Sequence, residues 1–510
     1  MNDTPIEDKN AGETFLAAAE QIAQVLRDID EHSHALAKIA GAYARMGLLE
    51  IAVEVAEAVD DPFTQDQVFA EIALKALESG DAEYAGEILE MIQDESLNAM
   101  ATEQIAVRYA EAGDIDKGLD ITNGLPDSSP ALSAIASICA ERGDWERAVE
   151  MAHTIEDPEL KAAALGQLAA KAISDKRTSG ATELLLQAAR AAENIEFSES
   201  RITTLLGIAS LYKEAEENEN ASQIISRAFK HCGEYEGTRY QGLPESYSRD
   251  EALAKVASAF AELHNYEQAD QAIEQIEHPS QAAVAIANLA IAHHKEGGND
   301  QAQSLLKEAL EITEGEQLDG ARELREQDSA LSKIAASFAT IGHYQEALQS
   351  AARIGLDAQR NETLITIAKF AARAGDDASA SEAETAIDDP YQKTRYRLDL
   401  SDILAERGQP DAAEKALNQT LAEAESIGNR YYRAEGLIAT AHRLRQSEQS
   451  DQLERVSEVL FQALEATASI ENKYQQTFAM VDLADEYHEA GLDAGEKEQA
   501  VVERILLRLE

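Results

Sequence analysis

The sequence predicts an all-α fold, an α-solenoid of about thirteen helix-turn-helix repeats. Three observations carry that expectation. A two-helix unit recurs along almost the whole chain, mostly every 33 residues. Alanine is abundant, as closely packed helices require. Aromatic residues are only 5% of the chain and prolines number 9, too few of the former for a sheet protein.

The clearest copy of the unit spans residues 132–158, LSAIASICAERGDWERAVEMAHTIEDP. Leu132, Ile135, Ala136, Cys139 and Ala140 form one apolar stripe at helical spacing. Trp145, Ala148, Val149, Ala152 and Ile155 form a second. Gly143-Asp144 breaks the pattern between them. Asp157-Pro158 stops it, because proline has no N–H and disfavours helix before it.

In chain order, residues 13–29 come first, with Phe15, Leu16, Ala19, Ile22, Ala23, Leu26 and Ile29 on one face. This is half a repeat, expected to cap the open end of the stack. The repeats then align on a small residue preceded by Ile, Leu or Val. These anchors are Ala40, Ala73, Ala106, Ala136, Ala169, Ala209, Ala257, Ala290, Ala335, Ala368, Ser401, Ala439 and Ala484. Seven residues on, nine units carry glycine, the residue that ends a helix in the left-handed conformation. Twelve residues on, ten carry alanine, which lets the second helix approach the first. The longest spacing, 48 residues, contains CGEYEGTRYQGLPESYSRD (232–250), whose Gly and Pro break any helix. The expected organisation is therefore an N-terminus with capping helix (1–34), front repeats (35–232), a loop and possible boundary (233–250), and back repeats with a C-terminal capping helix (251–510). That last helix, with Val501, Val502, Ile505, Leu506 and Leu509, closes the stack and leaves an apolar side for self-association.

The unit resembles the tetratricopeptide repeat. The aliphatic-small pair, the aromatic three residues later (Tyr43, Tyr109, Tyr212, Phe260, Phe338, Tyr487), the glycine and the alanine all match that motif. The turns GDWERA (143–148), HNYEQA (264–269) and GHYQEA (342–347) are similar to the family's, and the resemblance covers residues 35–510. It departs from the family in the missing early Trp, the spacing of 33 and the early proline, which mark a divergent member; HEAT-type repeats are the structural alternative. The resemblance implies a right-handed superhelix. It also implies a concave wall made by residues six and three before each anchor and one and four after it. In the back repeats those positions give Lys369, Arg395, Asp402, Arg433, Arg443, Asp485 and His488. The family's clamp for a C-terminal carboxylate is not matched.

The charge is extreme. Lys+Arg is 44 and Asp+Glu is 96, a net of −52. Such a surface repels phosphate backbones, which argues against nucleic acid as partner. The excess is spread over nearly all repeats, as in proteins of salt-accumulating halophiles, where repulsion is screened. One segment differs. Between residues 391 and 445, nine basic residues meet eight acidic ones, with Tyr391, Tyr396, Tyr431 and Tyr432 interleaved. Arginine with tyrosine is the composition of interaction hot spots, and an intramolecular salt-bridge network is the competing account. Lys369, Arg395, Arg397, Arg430, Tyr432, Arg433 and Arg443 are the expected partner-binding residues, and an acidic or C-terminal peptide the expected ligand.

Two cysteines, Cys139 and Cys232, lie nearly three repeats apart, which fits a reducing, cytoplasmic setting. No apolar run is long enough to span a bilayer. No phosphate loop, nucleophile elbow, zinc motif or poised carboxylate pair is present. Asp30, His32 and His34 read as a solvated turn and not as metal ligands. No catalytic, cofactor or metal residue is assigned. The function expected is that of a non-enzymatic scaffold for protein–protein interaction, with the sensory or ligand-binding arm of a regulatory system as the alternative.

Overall fold

The structure, a computed structural model, describes residues 11–235, 245–314, 320–446 and 452–509. These residues hold twenty-seven helices and no strand. In chain order they are α1 (Ala11–Ala23), α2 (Ile29–Arg45), α3 (Leu49–Glu57), α4 (Pro62–Glu78), α5 (Ala82–Leu89), α6 (Glu95–Ala112), α7 (Ile115–Thr122), α8 (Ser129–Glu141) and α9 (Trp145–Thr154). Then follow α10 (Pro158–Ser174), α11 (Thr178–Ala192), α12 (Ser198–Glu214), α13 (Asn218–Gly233), α14 (Glu245–Glu262), α15 (Tyr266–Ile273), α16 (Pro279–Lys295), α17 (Asn299–Glu314) and α18 (Ala321–Thr340). The last are α19 (Tyr344–Ala351), α20 (Asp357–Ala374), α21 (Asp377–Ala386), α22 (Pro390–Glu406), α23 (Pro410–Ser426), α24 (Arg430–Gln446), α25 (Gln452–Ala468), α26 (Lys473–Glu489) and α27 (Glu496–Leu506). Even-numbered helices from α2 to α24 are the first helices of successive repeats, and α2, α4 and every even-numbered helix from α8 to α24 pack along the helix that follows. The fold is an all-α solenoid of helix pairs.

Twelve of the thirteen repeats are punctuated by the same backbone device among the described residues. All nine glycines seven residues after an anchor, from Gly47 (φ 79°) to Gly491 (φ 63°), lie in the left-handed region. Where glycine is lacking, the same position is still left-handed: Lys176 (φ 59°), Glu216 (φ 61°) and His264 (φ 62°). The chain reversal lets the next N–H bond back five residues, as Asp81 N to Ala76 O at 2.9 Å. Asp81, Asp114, Asp144 and Asp376 then cap the second helix by accepting a backbone N–H three residues on.

The Asp-Pro pairs end one helix and also begin the next. Asp61 accepts from Thr64 N (2.8 Å), Asp157 from Leu160 N (2.8 Å) and Asp389 from Tyr391 N (2.8 Å), with proline at the first helical position each time. Proline is suited there because its missing N–H would have had no intrahelical partner. In three repeats a buried carboxylate seven residues before the anchor ties the first helix to the start of the next. Asp66 accepts from Gln93 N and Asp94 N, Asp250 from Glu277 N and His278 N, and Asp328 from Gly355 N and Leu356 N, at 2.8–3.2 Å. These carboxylates leave the solvent because each finds two backbone donors that would otherwise be orphaned.

The helices form two compact units, one of Met1–Arg108 with Ile387–Glu510 and one of Tyr109–Ala386. Of the expected boundary at 233–250, residues 236–244 lie outside the described residues. The first unit joins the two termini. α1 does not cap an open end. It packs along α26 as a second helix packs along its first, and α2 packs on both. Phe15 meets Tyr487 edge to face, and Tyr43 Oη donates to Glu20 Oε1 at 2.6 Å. The N-terminal helix thus completes the last repeat. α27, the expected closing helix, instead packs on α25 and α1.

Candidate protein-binding groove

The groove is built from the first helices, whose register must be set correctly. Eleven of the thirteen anchors are fully or nearly fully buried, including Ala40, Ala290 and Ala484. Ser401 is also buried, but Ala439 is exposed and Ala441 is buried. The true anchor of α24 is Ala441. Its helix start then falls twelve residues earlier at Asn429, as with Asp28, Asp61, Asp157, Asp389 and Asn472, and Asn429 accepts from Tyr431 N (2.9 Å). The Ile438-Ala439 pair mimics the motif two residues out of register.

In the second unit an open cavity of about 720 Å³ is lined by the positions six and three before the anchor and one after it on α12 and α14, and by the position six before it on α16 and α18. Thr203, Leu206 and Ser210 come from α12, Glu251, Ala254 and Ser258 from α14, Val284 and Asn288 from α16, and Ser329 from α18. The implied concave positions therefore face free space here. The wall is polar but pre-ordered: Ser258 Oγ donates to Ala254 O (2.8 Å) and accepts from Asn288 Nδ2 (2.9 Å), and Lys255 pairs with Glu251 (2.8 Å). Burial pushes the Lys333 ammonium on α18 below its ordinary value. Lys369, on α20 in this unit, is half-buried.

In the first unit the corresponding wall is charged. Lys38 of α2 pairs with Asp482 of α26 at 2.7 Å, and Arg45 with Asp485 at 2.7 Å. Lys38 also lies 4.3 Å above the ring of Phe478. Glu435 of α24 stands beside Asp482. Burial, and then the Asp482 charge, push its carboxyl up. Its Oε1 is buried without a hydrogen-bond partner. Tyr391 and Tyr432 rings lie 4.9 Å apart, and Tyr431 and Tyr432 5.6 Å apart.

The expected partner-binding residues separate into two kinds. Arg395 and Tyr432 are exposed. The others that lie in this unit are held by the protein itself. Arg397 reaches Glu423 on α23 (3.0 Å), Arg443 reaches Asp402 (2.9 Å), and Arg430 binds Ser469 O and Glu471 beyond the helix end. Arg433 donates to Ile427 O (2.9 Å), the role that Arg201 and Arg360 play in their own repeats. Sequence reasoning missed Glu435, Asp482 and Lys38, and placing the α24 register from Asn429 was the signal that would have found Glu435.

His442, Glu486 and Glu489 bring ligand atoms within 4.8 Å of one another. Arg445 already bonds Glu486 (2.7 Å) and also reaches Glu489, so a guanidinium holds the place a metal ion would need. His32 is paired with Asp60 at 2.8 Å on the surface, away from any ligand set with Asp30.

The architecture and the wall define an all-α helical-repeat protein. No protein-family model matches the chain, and no curated protein does. Solved structures with a similar succession of helices include a Rap protein complexed with Competence and Sporulation Factor, at 14% identity over 73% of this chain and 99% of that one, with a TM-score of 0.27. A signal transduction ATPase with a tetratricopeptide repeat sensor from Pyrococcus horikoshii matches at 16% identity over 82% and 68%, TM-score 0.27. A circular tandem repeat protein matches at 14% over 98% and 99%, TM-score 0.18. At such scores these likenesses assign no function.

Proposed function

We propose that the chain is a non-enzymatic scaffold that binds a segment of another protein along the wall of its first helices. The observation that carries this reading is the open cavity of about 720 Å³ lined by one register position after another from successive helices. A surface made by repetition suits an extended polypeptide. The sensory-arm alternative calls for an enclosed, ligand-sized cavity, and this one is open.

The setting we infer is a reducing, salt-rich cytoplasm. Cys139 and Cys232 are free and buried, and burial pushes the Cys232 thiol up to about 12, which keeps it unreactive. The net charge of −52 makes nucleic acid and anionic membrane unfavourable partners. No helix among the described residues is long and apolar enough to cross a membrane. Self-association would fall beside α27, where Leu507 (70% exposed) and Val25 (41%) border a cavity of about 590 Å³.

The test is affinity capture at high salt with mass spectrometry, comparing Ser258→Trp, which fills the cavity, with Gln271→Trp on the exposed face of α15. Loss of a specific partner with the first and retention with the second is expected. The same partners on both variants would remove the groove from the function.

A further inference from the structure

We propose that the wall of the first unit carries a cation-recognition site, formed by Tyr391, Tyr431 and Tyr432 over Glu435, that takes a lysine or arginine side chain of the bound protein. The proposal rests on the scaffold reading and names the chemistry of its partner.

The chain already builds this kind of site for itself. Lys38 sits over the Phe478 ring at 4.3 Å while its ammonium bonds Asp482 at 2.7 Å. An aromatic face and a carboxylate together hold one cation, each adding to the other. Lys117 over Tyr109 (4.0 Å) and Arg177 over Trp145 (4.5 Å) repeat the ring contact in the second unit.

One helix along, the same parts recur with the cation missing. Tyr391, Tyr431 and Tyr474 occupy the same register position, ten residues before the anchors of α22, α24 and α26. Tyr431 and Tyr391 are half-buried and Tyr432 is 43% exposed, so the cluster has both a packed base and an open side. Glu435 lies one turn on from Tyr431, close enough to Tyr431 and Tyr391 for its charge to raise both phenols. Among the described residues, no ammonium or guanidinium lies over these three rings. Arg395, whose charge Tyr391 also feels, turns Nη1 toward Gln392 of its own helix (3.4 Å).

The charge count at this point is unbalanced. Glu435 and Asp482 are two neighbouring carboxyls, and Lys38 is a cation that bears on both. Lys38 bonds Asp482, which leaves Glu435 Oε1 buried and unpartnered. Burial first, and the Asp482 charge second, raise the Glu435 carboxyl, the direction that two poorly compensated carboxyls give. An acidic ligand would add to the repulsion, whereas a lysine or arginine would cancel it.

The test uses the full chain labelled with 3-fluorotyrosine and followed by fluorine NMR in about 0.5 M KCl, where diffuse attraction to the surface is screened. The Tyr391, Tyr431 and Tyr432 signals are assigned by Tyr→Phe variants. The probes are Nα-acetyl-lysine methylamide, its arginine counterpart, and Nα-acetyl-norleucine methylamide as the uncharged control. Saturable shifts of these three signals with the cationic probes alone are expected. Glu435→Gln and Tyr432→Leu, checked for helix content, should each weaken binding by about three- to tenfold. Equal affinity in the variants, equal shifts of all exposed tyrosines, or no saturable shift would overturn the site. Because capture of a partner is measured separately with Ser258→Trp, such a result leaves the scaffold reading standing.

Discussion

Phe15, near the beginning of the chain, meets Tyr487, near its end, with ring centroids 4.8 Å apart and planes at 72°. Both rings are buried within a single repeat that the two termini complete together. The first prediction follows from this pair. Phe15→Ala should cost about 3–5 kcal/mol through the lost ring and the cavity it leaves. Tyr487→Phe should cost little or nothing, because the Tyr487 hydroxyl is buried without a partner. Chemical denaturation gives both values. Faster amide exchange in α1 and α26 of the Phe15 variant would locate the loss at the termini.

A second prediction concerns the left-handed turns. Lys176 and Glu216 are exposed residues held at φ 59° and 61°, where the other repeats carry glycine. Lys176→Gly and Glu216→Gly should each stabilise the protein by up to about 1 kcal/mol, the relief of side-chain strain less the added freedom of the unfolded chain. His264→Gly should gain less, since His264 also pairs with Glu296 at 2.7 Å. Unchanged or lower melting temperatures in the first two variants would show that the strain is relieved elsewhere.

The buried carboxylates supply a third. Asp328 accepts Gly355 N at 2.8 Å and Leu356 N at 2.9 Å from a fully buried position. Asp328→Ala orphans both donors and should cost roughly 2–4 kcal/mol, whereas Asp300→Ala on the exposed surface should be near neutral. Equal effects in urea denaturation would deny that these contacts join successive repeats.

Glu435 gives a prediction in pH. Burial first, and Asp482 second, push its carboxyl up to about 7. A carboxyl raised in the fold contributes stability that is fully present below its unfolded value near pH 4.5 and is lost as pH rises through about 7. Glu435→Gln removes that loss. At pH 8 the variant should be more stable than the wild type by on the order of 1–2 kcal/mol, allowing for partial solvent screening, with the gap closing below pH 5. Stability curves that run parallel across pH 4–8 would show that the side chain titrates normally.

Salt is the fifth. The helix faces that pack against one another are apolar, so most of the 96 acidic residues crowd the outer surface. The screening length falls from about 10 Å at 0.1 M salt to about 3 Å at 1 M. Melting temperature should therefore rise clearly between about 0.1 M and about 2 M KCl. Coincident melting curves would withdraw the main support for a salt-rich setting.

Much of this architecture was written locally. The repeat, the left-handed turn at Gly47 and its eight counterparts, and the buried alanines such as Ala52 and Ala347 follow from helical periodicity and from what only glycine or alanine does cheaply. Of the concave positions implied by the resemblance to the tetratricopeptide repeat, those six before the anchor on α12, α14, α16 and α18 line one cavity, and the positions four after it do not. What the sequence did not settle depends on residues far apart. The face of α1 is equally apolar whether it caps an end or completes the last repeat, and only the packing of Phe15 on Tyr487 chooses. In α24 the local pattern favoured Ile438-Ala439, and burial against neighbouring helices moved the register to Ala441. In the basic segment the arginines show their charge in the sequence, and their partners are found only in the fold. Glu423, Asp402 and Glu471 pair with Arg397, Arg443 and Arg430, while Glu435, one carboxylate among many along the chain, is half-buried beside Asp482.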